Sequence, residues 1–180
     1  EVALSLLAHG VSCFPTLGKQ PVGPWKQCQS RRMTDPEIRG AYRVTPQAGV
    51  AVVCGEVSGN LLMIEVEGRA EHLAAALPDL AAHHGIGDVW TRVSNGWVER
   101  SPSGGTHWFL RCPDGVGGNE KLAARPATGE ELAAWKERER AKAAGLEEPI
   151  RGKRLARIEA TTPADVPQVL AETRGNGGYV

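Results

Sequence analysis

The stretch Leu61–Gly68, LLMIEVEG, sets two glutamates two residues apart in an otherwise apolar run. In a β-strand, residues i and i+2 share a face. Glu65 and Glu67 therefore project side by side, while Ile64 and Val66 point the other way, into a core. Neighbouring like charges repel and raise each other's pKa. A bound cation relieves that repulsion, and hard ions such as Mg2+ and Mn2+ prefer carboxylate oxygens. Two carboxylates on one face can bridge two ions of the kind that serve the attacking and leaving oxygens of phosphoryl transfer. Spacing alone equally fits a solvated strand face whose glutamates need no partner.

Two further segments carry chemistry. In SPSGGTHWFLR, Ser103, Gly104 and Gly105 form a tight loop whose backbone amides suit an anion such as a phosphate. His107 and Arg111 follow on one strand face and add donors and charge; a plain glycine hairpin with a half-buried histidine fits the same residues. Near the end of the chain, Glu172 precedes RGNGGYV. It reads either as a third metal ligand or as an exposed helix end before a turn.

Lys plus Arg equals Asp plus Glu at 21 each, which argues against gripping a long nucleic acid through bulk charge and leaves room for a local basic face. Arg151, Lys153, Arg154 and Arg157 form such a segment, four positive charges in seven residues with no acid among them. They fit either phosphate-backbone contact or a solvated charge cluster. Cys13, Cys28, Cys54 and Cys112 form no CxxC pair, so zinc is not expected, and they read as reduced thiols of a cytoplasmic protein. No apolar run approaches a membrane span. The opening EVALSLLAHG reads as one face of a helix rather than a leader, and the missing Met reads as the start of a fragment.

These residues need elements to position them. Helices are expected at 2–9, from the capping box at Thr34 to a stop at Pro46, at 69–84 with an interruption at Pro78, and at 128–144 from a second capping box. VSCFPTL, AGVAVVCG and LLMIEVEG read as strands, the last two as an antiparallel hairpin. VWTRVSNGWVERSPSGGTHWFLRC reads as three strands with a hairpin turn at Asn95-Gly96. Residues 113–127 read as a loop, 151–162 as a strand, and PADVPQVLAET as a helix or turn. The helix at 128–144 is charged all round and reads as an exposed insertion.

Together these segments resemble the bifunctional DNA primase/polymerase N-terminal domain of the archaeo-eukaryotic primase superfamily. The resemblance runs through LSLLAHGVSCFPTLGKQPVGPW, TDPEI, AGVAVVCGEVSGNLLMIEVEG, SGGTH and ETRGNGGYV, in that order. It covers most of the chain except about 113–153. It implies an α+β primase-like fold, with a mixed or antiparallel sheet and an RRM-like catalytic unit flanked by helices. One catalytic domain over 1–180 is implied: an N-terminal α/β unit about 1–60, the metal and nucleotide site at 61–112 and 154–180, and an inserted charged helix about 128–145.

The resemblance further implies template-directed nucleotidyl transfer from an NTP or dNTP to a 3′-hydroxyl on single-stranded DNA, in a replication protein of a phage or mobile element. Glu65, Glu67 and Glu172 occupy the acidic positions that hold Mg2+ or Mn2+, two ions in number. His107 occupies the position that contacts the triphosphate, with the Ser103 loop beside it. Tyr179 belongs to the segment near the nucleotide's sugar or base, and Lys19 to the GKxP loop. A helicase, attached or separate, is an implied partner. The family shows Asp at the first two acidic positions and often at the third, where this chain has Glu throughout. A degenerate module that binds nucleotide or DNA without chemistry, or a metal-dependent nuclease, are the alternatives.

Overall fold

The computed structural model describes residues 1–180. The chain divides into two compact units, residues 1–122 with 171–180 and residues 123–170.

In the first unit, α1 (Val2–Ala8) leads into β1 (Ser12–Leu17), which turns at Gly18 into the short β2 (Gln20–Pro21). A loop with one 3-10 turn, Lys26–Gln29, precedes α2 (Asp35–Val44). The Thr34 capping box forms as expected, its hydroxyl accepting from the Glu37 amide and the Glu37 carboxylate accepting from the Thr34 amide. Arg31 grips the same carboxylate at 2.8 and 2.9 Å, and these bonds hold Glu37 down to about 2. β3 (Gly49–Val53) completes a sheet of order β2-β1-β3. The chain end extends it, with reciprocal bonds between Val52 and Val180 of 2.8 and 2.9 Å.

β3 and β4 (Leu61–Val66) do not form the expected hairpin. Between them lie a 3-10 turn, Glu56–Ser58, and two left-handed residues, Gly59 and Asn60, which send the chain into a second sheet. Ser58 locks this switch: its hydroxyl donates to Val53 O at 2.5 Å and accepts from the Ser12 amide at 2.8 Å. Only the bridge Gly55↔Leu61 remains of the hairpin.

The expected helix at 69–84 is broken into α3 (Glu71–Ala74) and α4 (Leu77–His83), with Pro78 in the first turn of α4, where its missing N–H costs nothing. α5 (Gly87–Ser94) stands where a strand was expected. Its β-branched residues favour a strand, but Trp90 packs on Trp108 of the sheet at 5.3 Å, and tertiary packing overrides propensity. Asn95-Gly96 accordingly ends a helix instead of turning a hairpin.

β5 (Trp97–Arg100) and β6 (Thr106–Arg111) follow, then β7 (Glu120–Arg125), in part of the segment read as loop. β8 (Gln168–Arg174) replaces the expected helix or turn after a 3-10 turn at Pro163–Asp165. The sheet order is β5-β6-β4-β8-β7. Its first four strands, with α3–α5 between β4 and β5, follow the strand order of a ferredoxin- or RRM-like unit. The fold class is α+β, as expected.

The glutamate-bearing face of β4 is also a core face, contrary to the simple in/out expectation. Leu61 and Met63 share that face with Glu65 and are buried with Phe109, Val11, Val52 and Cys54 between the two sheets. Ile64 and Val66 face the α3–α5 side, where Val66 is buried and Ile64 half-buried.

The second unit contains α6 (Gly129–Ala143), capped by Thr128 and Glu131 as expected, and α7 (Ile150–Ala160). α7 overturns the strand expected at 151–162. Leu155 and Ile158 are three apart, a helical spacing, and Arg, Lys, Leu and Ala favour helix. Ile158 and Ala143 are buried. Glu139 is clamped between Lys142 at 2.7 Å and Arg154 of α7. No helix of the chain is long and apolar enough to cross a membrane.

Met63 has no exposed surface. Met63→Ala is expected to lower stability by about 3 kcal/mol, measured by urea denaturation. A loss below about 1 kcal/mol would mean that the layer between the sheets is not the core.

Candidate active site

β4 carries Glu65 at its penultimate position, flanked by His107 of β6 and Glu172 of β8, its direct cross-strand partners. Side chains paired across an antiparallel ladder share a face, so three strands deliver three polar groups to one spot. Glu67, the first residue beyond β4, opens the 3-10 turn Gly68–Ala70. Ligand oxygens of Glu65, Glu67 and Glu172 lie within 4.8 Å of one another. Two oxygens on opposite sides of a Mg2+ ion stand about 4.2 Å apart, from metal–oxygen distances of about 2.1 Å. The triad's spacing and its all-oxygen donors therefore fit a small divalent cation.

The cluster is partly withdrawn from water, the Glu65 and Glu172 side chains being 14% and 11% exposed. A hydrogen-bond donor and several positive groups surround it. His107 Nε2 lies 3.2 Å from Glu65 Oε1. This bond holds Glu65 below its ordinary pKa against the opposing effect of burial, with help from the charges of Arg174 and Lys19. Glu172 moves the other way. Burial pushes it up, the negative charges of Glu65 and Glu67 add to the rise, and Arg174 and Lys121 oppose it.

The Ser103 loop sits against this strand end. A side chain at Gly68 would meet Ser103 O at 1.9 Å, and one at Gly105 would meet Val66 O at 2.6 Å, so both positions require glycine. Yet the loop is not the open cradle of amides that its sequence suggested. The Gly104 amide donates to Ser101 O at 2.9 Å and the Gly105 amide to Ser101 Oγ at 2.9 Å. Ser103 Oγ lies 3.0 Å from Ser101 Oγ. Arg100 ties the loop down from below, bonding Glu71, Thr106 Oγ1 and Gly104 O.

Other expected residues are scattered. Lys19, at the β1–β2 turn, is close enough for its charge to act on Glu65. Arg111 is not at the acids: it lies at the opposite end of β6, paired with Leu61, and its guanidinium donates to His9 O at 2.7 Å. Tyr179 packs edge-on against Trp25 and Phe14, at 4.7 and 5.2 Å, and its strand bridges Val53. Arg151, Lys153, Arg154 and Arg157 all stand on α7. Two are engaged, Arg151 with Glu148 at 2.9 Å and Arg154 with Glu139. Lys153 and Arg157, one turn apart, are not ion-paired.

The sequence reading missed Arg174, Lys121 and Gly68. Arg174 bonds Glu172 directly. Its signal was the two-residue spacing from Glu172, which speaks only if this segment is a strand.

A family model described as bifunctional DNA primase/polymerase, N-terminal (Prim-Pol) matches residues 3–180. The chain belongs to this family. A search of curated proteins found no match.

The shift at Glu172 gives a pH test of whether the cluster takes a cation. Its raised pKa means that the folded, metal-free protein holds a proton there more tightly than the unfolded chain does. The associated stability is present at low pH and is lost as pH rises through the raised value. A cation bound at Glu172 would replace that proton. Mn2+ at a hundredfold excess over its Kd is therefore expected to add about 2.7 kcal/mol near pH 7, and far less near about pH 4. Thermal denaturation with and without Mn2+ measures it; an increment independent of pH would contradict the placement of Glu172 in the cation site.

Proposed function

We propose that the chain carries out template-directed nucleotidyl transfer, adding a nucleotide from an NTP or dNTP to a 3′-hydroxyl on single-stranded DNA. The observation that carries this reading is the convergence of Glu65, Glu67 and Glu172 within 4.8 Å beside His107, in a chain of the primase/polymerase family.

Glu65, Glu67 and Glu172 hold one or two divalent cations, Mg2+ or Mn2+. When bound, these supply charge to acidify the attacking hydroxyl and to balance the transferred phosphate and the pyrophosphate. His107 has a second use for the Nε2 that rests on Glu65: it donates to a phosphate oxygen once Glu65 turns to a cation. His107 is buried and its Nε2 already points at the acids, so the contact costs little reorganisation. The Ser103 loop, closed internally and braced by Arg100, offers hydroxyls and a rigid wall, with fewer open amides than an anion nest. Lys19 adds positive charge on the Glu65 side.

The longer glutamate side chains fit this role here because the strands face one another. Glu65 and Glu172 start from paired backbone positions, so their carboxylates meet above the sheet at a distance a cation can span. Lys153 and Arg157 are the groups of α7 free for phosphates of the template; Arg151 and Arg154 already satisfy glutamates.

Primer extension on a single-stranded template with Mg2+ or Mn2+ tests the reading. Glu65→Ala with Glu67→Ala is expected to reduce incorporation about a thousandfold or more, and His107→Ala about a hundredfold, with the fold retained by circular dichroism. Nucleotide binding without incorporation by the wild type would favour the degenerate binding module. Loss of DNA without nucleotides present would favour a nuclease. For the template contact, Lys153→Glu with Arg157→Glu is expected to weaken single-stranded DNA binding and lower the slope of log K against log salt by about 1.4, two phosphates at about 0.7 each. An unchanged slope would remove α7 from the template path.

A further inference from the structure

Arg174 lies two residues after Glu172 on β8, so both side chains stand on the face that carries Glu65. Its Nη2 donates to Glu172 Oε1. The partners differ in freedom: the Arg174 side chain is 34% exposed and that of Glu172 is 11% exposed. The carboxylate is fixed in the cluster, and the arginine is the partner able to leave. Glu172 also faces two claims on the same oxygens, one from Arg174 and one from any cation held with Glu65 and Glu67. A guanidinium and a divalent ion cannot share those lone pairs without repelling each other.

We propose that Arg174 is a positioning residue that holds Glu172 in the cluster before a cation binds and is displaced from the carboxylate by the cation. The displaced guanidinium then meets the phosphates of the nucleoside triphosphate. This rests on the nucleotidyl-transfer reading above and adds an order to it. Cation and nucleotide bind with positive coupling, because the first releases a donor for the second. Arginine suits the exchange, since its fork fits carboxylate and phosphate alike.

Calorimetric titration of the full chain tests this, first with Mn2+ alone and then with a non-hydrolysable nucleoside triphosphate at saturating Mn2+. Arg174→Gln is expected to bind Mn2+ about fivefold more tightly, the effect of losing a partly exposed ionic competitor. It is expected to bind the nucleotide about tenfold more weakly, the loss of a hydrogen bond to a charged group. Arg174→Lys keeps the charge and is expected to restore wild-type Mn2+ affinity. A purely structural role would instead weaken Mn2+ binding in Arg174→Gln, and that result overturns the proposal, as does unchanged nucleotide affinity. The Nε–H resonance of Arg174 in the wild type reads the same exchange without a variant. It is expected to shift when Mg2+ is added, and an unmoved resonance overturns the displacement. A wild type that binds no Mn2+ overturns the nucleotidyl-transfer reading along with it. Wild-type binding that is lost in Glu65→Gln but unaltered in Arg174→Gln overturns this proposal alone.

Discussion

Three carboxylates held within 4.8 Å on a half-dry sheet face form an arrangement of like charges that a protein does not keep without compensation. The first unit is organised around that constraint. Backbone pairing imposes the crowding: Glu65 is hydrogen-bond-registered to His107 on one side and to Glu172 on the other, and the ladder cannot slip by one residue without turning Leu61 and Met63 out of the core. The hydrophobic layer between the sheets therefore locks the acidic groups together by fixing the register of their strands. A hydrogen bond from His107 and the positive charges of Arg174, Lys19 and Lys121 make the crowding bearable.

The compensation is unequal, and the inequality has chemical content. Glu65 is stabilised as an anion by His107, whereas Glu172 is destabilised as an anion by burial and by its neighbours. Glu65 thus rests as a hydrogen-bonded carboxylate, and Glu172 is the more strained as an anion. Glycines let backbone approach backbone at both ends of β4: Gly68 against the Ser103 loop beside the cluster, and Gly55 against Asn176 at the far end, where the chain returns from β8 to the first sheet. These approaches bring together segments distant in sequence without spending side-chain volume there.

Much of this was legible in the sequence where spacing has one structural meaning. The acid-x-acid pair on a strand and the capping boxes at Thr34 and Thr128 follow from local rules; His107 was assigned to the nucleotide site by resemblance, and the pairing of β4 with β6 sets it beside Glu65. Glu172 was identified by resemblance, and the structure places it opposite Glu65. What escaped depends on partners far away. β3 and β4 read as a hairpin because the short connection between them hides a sheet switch that Ser58 sets from a buried position. α5 read as a strand because Trp108, which holds it, lies outside its own segment. α7 read as a strand because Leu155 and Ile158 are the only large apolar residues of RGKRLARIEATT, and one three-residue interval is too short to display a helical period. Arg111 was placed at the nucleotide site because it shares a strand face with His107. A face says nothing about distance along the strand, and four residues carry Arg111 to the other end.

The proposed function stands or falls with Glu65, Glu67 and Glu172 forming one cation site whose occupation redirects His107. A crystal structure with Mn2+ and a non-hydrolysable nucleoside triphosphate, read by the anomalous signal of manganese, tests it most directly. Manganese is expected bound jointly by Glu65 and Glu172, with His107 Nε2 moved from Glu65 to a phosphate oxygen. Manganese bound elsewhere, or a cluster without metal in which His107 still rests on Glu65 while nucleotide is present, would contradict it.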